Sequence, residues 1–465
     1  MMIEKGQIVE LVINDMTEDG KGISRKDGLV IFCEGALPGD LVEAKITKVK
    51  KNFAIAKVKN IIEQSENRIE NDCPYFRKCG GCSLREYNYN AQCKLKENQV
   101  RNKLERIGKI KNPKINNIIA CSDDKNLERG AYRYRNKAVF TVTVDGKVGF
   151  KKRGSNDVID CIDCLLQKNV TMIIAQAVRY LINKKEISVY DNKSKQGELV
   201  SFTVKVCEGT KEVMIIFSVD GKKFSNIEKI ITFINNEINN SAKCYDDYFL
   251  ASVILETEKK EYKVIAGGKT IRDTVNISKD FNFEISAPAF YQVNTNQMIK
   301  LYSKIIEYAN LKGNEIIYDL YCGIGTIGLC MSDKVKFVAG IESVHSAVLD
   351  ANRNAVINRV VNAVYKTGKS EEILFDFCKE LDEKGFSENK IAVVDPPRNG
   401  CAFELLKSIA ESDMDKIIYV SCNPATLARD IKVLMDFGYF FIEATPVDMF
   451  PWTMHVECVC LLSKN

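Results

Sequence analysis

The rhythm of hydrophobic and polar positions changes three times along this chain. In residues 1 to about 60 the apolar runs are short or alternate, as in Gly28-Leu-Val-Ile-Phe32 and Leu41-Val-Glu-Ala-Lys-Ile-Thr-Lys-Val49. A period of two marks strands half buried against a core. Turns at Asp19-Gly20-Lys21-Gly22 and Pro38-Gly39-Asp40 punctuate them. Short strands at that spacing predict a small OB-like β-barrel. Residues 61–280 carry a cysteine-rich stretch, a helical pattern around Gln92 to Ile107, and then long strand patterns such as Ala138–Val144, Leu199–Val206 and Glu212–Ser218. They predict a central α+β domain. From about 281 to 465 strand and helix patterns alternate, which predicts a doubly wound, mostly parallel α/β sheet of Rossmann-like type. No internal repeat or long low-complexity linker interrupts this multidomain plan.

Length and composition agree with it. A chain of 465 residues, 45% of them hydrophobic, has material for two to four cores. Its apolar runs are too short to cross a bilayer, and its start has no apolar core like a signal peptide. A cytoplasmic monomer with no membrane partner is the expectation. Seventeen cysteines are many for a reducing compartment, so some should be ligands or nucleophiles rather than disulfides. Net charge is only +5, yet Lys and Arg concentrate between Arg85 and Lys114 and between Arg129 and Arg153. Local basic patches on a near-neutral protein suit a selective polyanion surface.

Four loops of the last domain carry chemistry. Asp319-Leu-Tyr-Cys-Gly323-Ile-Gly325-Thr-Ile-Gly328 follows the strand pattern Ile316-Ile-Tyr-Asp319, and its glycines allow close approach to a nucleoside. Glu342, at the end of the next apolar run, suits ribose hydroxyls. Such a loop could hold a dinucleotide. The extra acid Asp319 and the loop Asp395-Pro-Pro-Arg398 favour S-adenosylmethionine, whose ammonium and sulfonium attract carboxylates. Cys422, in Ser421-Cys-Asn-Pro424 just past the strand Lys416-Ile-Ile-Tyr-Val420, is placed as a nucleophile. Pro451-Trp-Thr-Met-His455-Val-Glu457 offers a base. An acid entering the apolar strand Glu457-Cys-Val-Cys-Leu-Leu462 is costly without a task, and burial would raise its pKa. A thiol that adds to C6 of uracil, a methyl donor at C5 and a base for the C5 proton make a complete reaction. His345 reads as structural.

Cys73, Cys79 and Cys82 stand close together, with Gly80 and Gly81 to let the backbone fold around a metal. Cys161 or Cys164 could be the fourth ligand, and four thiolates suit zinc or an iron–sulfur cluster. Radical S-adenosylmethionine chemistry is disfavoured, because the cofactor loop lies far downstream on a different fold. Tyr132-Arg133-Tyr134-Arg135-Asn-Lys137 interleaves aromatics with cations, as a strip that stacks on bases and meets phosphates would.

Taken together, these motifs resemble the S-adenosylmethionine-dependent RNA uracil-C5 methyltransferases over nearly the whole chain. Phe290-Tyr-Gln292-Val-Asn294, the Asp-Leu-Tyr-Cys-Gly loop, Asp395-Pro-Pro-Arg398, Ser421-Cys-Asn-Pro424 and Thr453-Met-His-Val-Glu457 carry the resemblance. It implies that the first domain is a TRAM domain, that Cys422 is the nucleophile and Glu457 the base, and that Gln292, Tyr321, Glu342 and Asp395 contact the cofactor, beside Asp319 and Gly323. It implies a [4Fe-4S] cluster, which oxygen could strip during purification, on Cys73, Cys79, Cys82 and Cys164, the last preceding Leu-Leu-Gln as the family's fourth ligand does. The barrel plus cluster resembles the ribosomal-RNA branch, so the expected product is 5-methyluridine in 23S ribosomal RNA. A transfer-RNA or multi-site enzyme is the alternative, and a catalytically inactive RNA-binding protein the alternative from another class. Lys369 and Ala289 depart from the family's usual acid and serine. The barrel and cluster argue against a DNA cytosine methyltransferase.

Overall fold

The computed structural model describes residues 3–121, 131–221, 223–242, 247–387 and 389–464. Residue 129, which opens the second basic segment, lies outside them. Six strands between Ile8 and Glu63 form the first sheet, in the order Ile8–Val12, Leu41–Val49, Phe53–Glu63, Leu29–Glu34, Gly22–Lys26, Asp15–Met16. Their alternate residues Val9, Leu11, Ile31, Val42, Ala44, Ala54 and Ala56 fill one core. Asp40, fully buried, ties this unit to the next segment. It accepts from the Leu37 and Ser65 N–H groups at 2.7 and 3.0 Å and from Arg68 Nη2 at 2.8 Å.

The central sheet has seven strands, running Tyr262–Gly267, Phe249–Glu256, Glu212–Val219, Leu199–Val206, Lys137–Val142, Val148–Lys151, Val158–Asp160. Only Glu212–Val219 and Phe249–Glu256 pair in parallel, and the helix Ile227–Ala242 makes the crossover that a parallel pair requires.

The last sheet runs Ala363–Thr367, Phe337–Glu342, Ile316–Leu320, Lys390–Val394, Lys416–Ser421, Glu457–Ser463, Phe440–Val447. In chain order this is third, second, first, fourth, fifth, seventh, sixth. Every pair is parallel except those of the seventh strand, which is antiparallel to both neighbours. Strands such as Ile316–Leu320 and Lys390–Val394 are buried throughout, as a sheet covered on both faces demands.

Two packings were not visible in the hydrophobic pattern. The helix Tyr89–Arg106, capped by Asn88 accepting from Asn90 N–H at 2.9 Å, buries Val100 and Leu104 in the core of the last sheet. The stretch that follows forms parallel bridges to the sheet's edge strand, Ile115 with Ala444 and Ile119 with Val447. The other is a polar ladder. The hairpin strand Asp280–Ser286 presents its open edge to the helix His345–Ile357. Asn358 Oδ1 and Asn354 Oδ1 accept from the Asn282 and Glu284 N–H groups, both at 2.8 Å, and Asp350 Oδ2 accepts from the Ser286 hydroxyl at 2.5 Å. Four residues of helix rise about 6 Å and two of strand about 6.8 Å, so the two periods nearly match. Asn354 Nδ2 also donates to the Ile324 carbonyl of the glycine-rich loop, at 3.1 Å.

Candidate active site

Parallel strands deliver their following loops to one edge, and the site assembles there. The loops after Ile316–Leu320, Lys390–Val394 and Lys416–Ser421 carry Tyr321–Gly328, Asp395–Gly400 and Cys422–Asn423. Because the seventh strand runs the other way, it begins at that same edge. Its register pairs Ser421 with Cys458, which sets Glu457 across from Cys422.

The glycine-rich loop folds tightly. Tyr321, Gly323 and Gly325 all have positive φ, at 63°, 54° and 80°. A Cβ on Gly328 would lie 2.7 Å from Val338 Cγ1, so only glycine lets the short helix Thr326–Met331 seat on the neighbouring strand. Asp319 Oδ2 accepts from Gly328 N–H at 2.8 Å, while Oδ1 is buried with no partner among the described residues. Burial lifts this carboxyl to about 7. Glu342 accepts from Gly323 N–H at 3.1 Å and from Val344 N–H at 2.8 Å. Gln292 is buried, and its carbonyl accepts from Asn136 Nδ2 at 2.9 Å. That bond ties the central domain to the Phe290–Asn294 motif.

The thiol of Cys422 is half-buried. Burial pushes it up to about 11, the charges of Glu457 and Asp395 add to this, and Arg398 opposes them. Glu457 is 5% exposed; burial lifts its carboxyl to about 8, with Asp395 assisting and Arg398 opposing. Burial alone lifts Asp395 to about 6. Burial thus brings the Glu457 and Asp395 carboxyls towards neutrality, where a carboxyl can exchange a proton, while it holds the Cys422 thiol protonated. Arg398 was quoted in the sequence only as part of a motif. Here its charge bears on Cys422, Glu457 and His455 alike. The loops after Lys390–Val394 and Lys416–Ser421 are stapled together, with Asn423 Nδ2 and Thr426 Oγ1 donating to the Arg398 carbonyl at 3.1 and 3.3 Å. His345 opens its helix with Nδ1 3.2 Å from Thr367 Oγ1, away from this chemistry.

The cysteines of the second domain also come together. Cys79 and Cys82 each feel the charges of Cys73 and Cys164. The Cys73–Cys82 loop is held against the strand hairpin by Ile162 N–H donating to Tyr75 OH at 2.9 Å and by Arg153 donating to the Cys82 carbonyl at 2.6 Å. A hydrogen bond from Cys161 holds the Cys164 thiol down, to about 6, helped by the Leu166 and Gln167 N–H groups, and pushes Cys161 up. Among the described residues no three His, Cys, Asp or Glu side chains converge as on a single metal ion.

The Tyr132–Lys137 strip is largely engaged within the protein. Tyr132 OH donates to Asp72 at 2.6 Å, Tyr134 is buried, and Lys137 is depressed by burial. Arg133 pairs with both oxygens of Asp163, at 2.7 and 2.6 Å, and donates to the carbonyls of Cys164 and Gln167. Arg135 is half-buried.

Residues 230–465 match the family model described as tRNA (Uracil-5-)-methyltransferase, and residues 3–59 match the TRAM domain. An uncharacterized RNA methyltransferase of Halalkalibacterium halodurans is 38% identical over 475 aligned positions, covering 100% of this chain and 98% of that protein. One of Listeria innocua is 37% identical over 473, covering 99% of each. The solved tRNA (uracil-54, C5)-methyltransferase of Pyrococcus abyssi, in complex with S-adenosyl-L-homocysteine, superposes with a TM-score of 0.73. It covers 98% of this chain and 100% of its own, at 24% identity, which establishes a shared fold.

Proposed function

For a chain that belongs to the tRNA (uracil-5-)-methyltransferase family of RNA methyltransferases, with a TRAM domain at its start, we propose methylation of C5 of a uridine in 23S ribosomal RNA. One observation carries the mechanism: a strand-end thiol, Cys422, faces a buried carboxyl, Glu457, whose pKa is lifted to about 8. Cys422 adds as thiolate to C6 of the uracil, which makes C5 nucleophilic. S-adenosylmethionine supplies an electrophilic methyl group to C5 and leaves as S-adenosylhomocysteine. Glu457 then takes the C5 proton, the C5–C6 double bond reforms and the Cys422 sulfur departs. A target uridine within a folded RNA must be flipped out to reach the thiol.

The residues fit the methyl donor. Asp319 Oδ1 is a buried acceptor with no donor among the described residues, Glu342 stands at the ribose position of the next strand, and the glycines leave room for a nucleoside. Gln292, Tyr321 and Asp395 complete the contacts. The donor set for a [4Fe-4S] cluster is supplied by the thiols of the Cys73–Cys82 loop, which Tyr75 and Arg153 hold against the hairpin that precedes Cys164. Cys73, Cys79, Cys82 and Cys164 would hold it, and Cys164 is preferred over Cys161 because it packs against the same apolar cluster as Cys82, while Cys161 is buried in the core of the central sheet. The cluster would supply a cross-link between segments distant in sequence. Arg135 and the basic segments are assigned to RNA contact, and the cytoplasm is the assigned compartment.

Transfer RNA is the second reading, favoured by the family model's own description. The test is transfer of labelled methyl groups to unmodified ribosomal and transfer RNA, offered separately, with nucleoside mass spectrometry and Cys422→Ala as control. 5-Methyluridine in ribosomal RNA alone supports the proposal. Product in transfer RNA alone replaces the substrate. No product on either, from cluster-loaded protein, leaves an RNA-binding protein.

A further inference from the structure

The segment that carries the last clustered cysteine also grips the loop that delivers the base. Directly after Cys82, the N–H groups of Ser83 and Leu84 both donate to the Trp452 carbonyl, at 3.0 and 3.1 Å. Ser83 Oγ accepts from Met454 N–H at 3.2 Å. The Arg85 guanidinium lies over the Trp452 ring, 4.5 Å from its centre, and over Tyr132 at 4.8 Å. Arg85 is ion-paired to Asp72, the residue before Cys73, so one pair closes both ends of the cysteine segment around the indole. Trp452 itself has φ of +66°, a conformation that costs a non-glycine residue free energy and persists only where the surroundings enforce it. Five residues later comes Glu457, with His455 between them lining the same cleft as Gly80, Gly81, Cys82 and Ser83.

We infer that Ser83 and Arg85 are positioning residues for the catalytic base: the cysteine segment is the strut that holds Trp452–Val456 in its strained path and so aims Glu457 at the reacting carbon. This rests on the assignment of Glu457 as base. It gives the cysteine site a role in the chemical step rather than in RNA docking alone. Whatever holds the four thiols together holds the base in register.

A base out of place has a signature that general unfolding lacks. The Cys422 sulfur cannot leave C6 until the C5 proton is taken. Mispositioned Glu457 therefore leaves the methylated base bonded to the protein. Ser83→Ala and Arg85→Met in the full-length, cluster-loaded chain, given unmodified 23S ribosomal RNA or transfer RNA transcript, should accumulate a denaturation-resistant RNA–protein adduct, as Glu457→Gln should. kcat should fall roughly ten- to a hundredfold, the scale of a misplaced catalytic group, with KM for S-adenosylmethionine unchanged. Arg85→Lys, which keeps a cation over the indole, should recover part of the rate. Hydrogen exchange gives an activity-free readout: amides of 452–457 should exchange faster in both variants while those of Lys416–Ser421 keep their protection. Trp452 is the chain's one tryptophan, so its emission reports the same contact. Unchanged exchange and emission, or a lowered rate with no adduct where Glu457→Gln forms one, overturns the inference. If Glu457→Gln itself forms no adduct, the assignment of the base fails, and the exchange measurement still decides whether the strut exists.

Discussion

Cys422 and Glu457 could be singled out in the sequence because each violates a local expectation, a thiol at a strand end beside Asn-Pro and an acid at the head of an apolar strand. The structure adds their proximity, and from it comes a pH dependence. Glu457 must be a carboxylate to accept a proton, so kcat/KM for RNA should climb through pH 8; a profile flat from pH 6 to 9 would rule this group out. Stability moves the opposite way. The folded chain holds a proton on Glu457 from its ordinary value near 4.5 up to about 8, so this contribution is full below 4.5 and is lost as pH rises through 8. Glu457→Gln never ionises. Thermal melts should show it gaining on the native protein between pH 5 and 8, although turnover is lost. Arg133 shows what residue type alone could not reveal. Its position in an aromatic–basic strip suggested phosphate contact, yet Asp163 and two carbonyls beside Cys164 take its guanidinium. Arg133→Glu is accordingly expected to lower the iron bound per chain, measured colorimetrically, before it lowers RNA affinity.

Periodicity located most elements. The helix expected around Gln92 to Ile107 is Tyr89–Arg106, and the alternating βα region is a doubly wound sheet. Periodicity carries no information on strand order, and the order matters most here. Only the insertion of Glu457–Ser463, antiparallel, beside Lys416–Ser421 brings Glu457 to Cys422. The loops at that edge depend on one cap. Asn423 accepts from Ala425 N–H at 3.0 Å to start its helix and also donates to the Arg398 carbonyl. Asn423→Ala should cost about 1 kcal/mol of stability through the lost cap. It should also lower kcat more than it raises KM, as steady-state kinetics would show, because the loops that carry Arg398 and Cys422 come unstapled.

At the scale of the whole molecule, charge counts and hydropathy could not foresee that the first helix of the central domain packs on the last one. Lys96 and Asp448, both fully buried, pair at 2.5 Å, and Tyr89 OH donates to the same carboxylate at 2.5 Å. Removing one partner of such a pair leaves an uncompensated buried charge. Lys96→Met should destabilise by about 3–5 kcal/mol in denaturant melts, and Lys96→Met with Asp448→Leu should recover much of the loss. A double variant as weak as the single would show that the tyrosine, not the ion pair, matters there.

The asparagine ladder on the hairpin has a consequence outside catalysis. An unpaired strand edge is a template on which another chain can add itself and begin a fibril. Asp280–Ser286 has such an edge, with Phe281, Phe283 and Ile285 on its buried side. Asn354 and Asn358 occupy its backbone groups from a helix, which no incoming strand can extend. Removing those amides should open the edge to a second strand, which light scattering of Asn354→Ala with Asn358→Ala would detect. The same helix that steadies the glycine-rich loop thus fills the hydrogen-bonding groups an added strand would need.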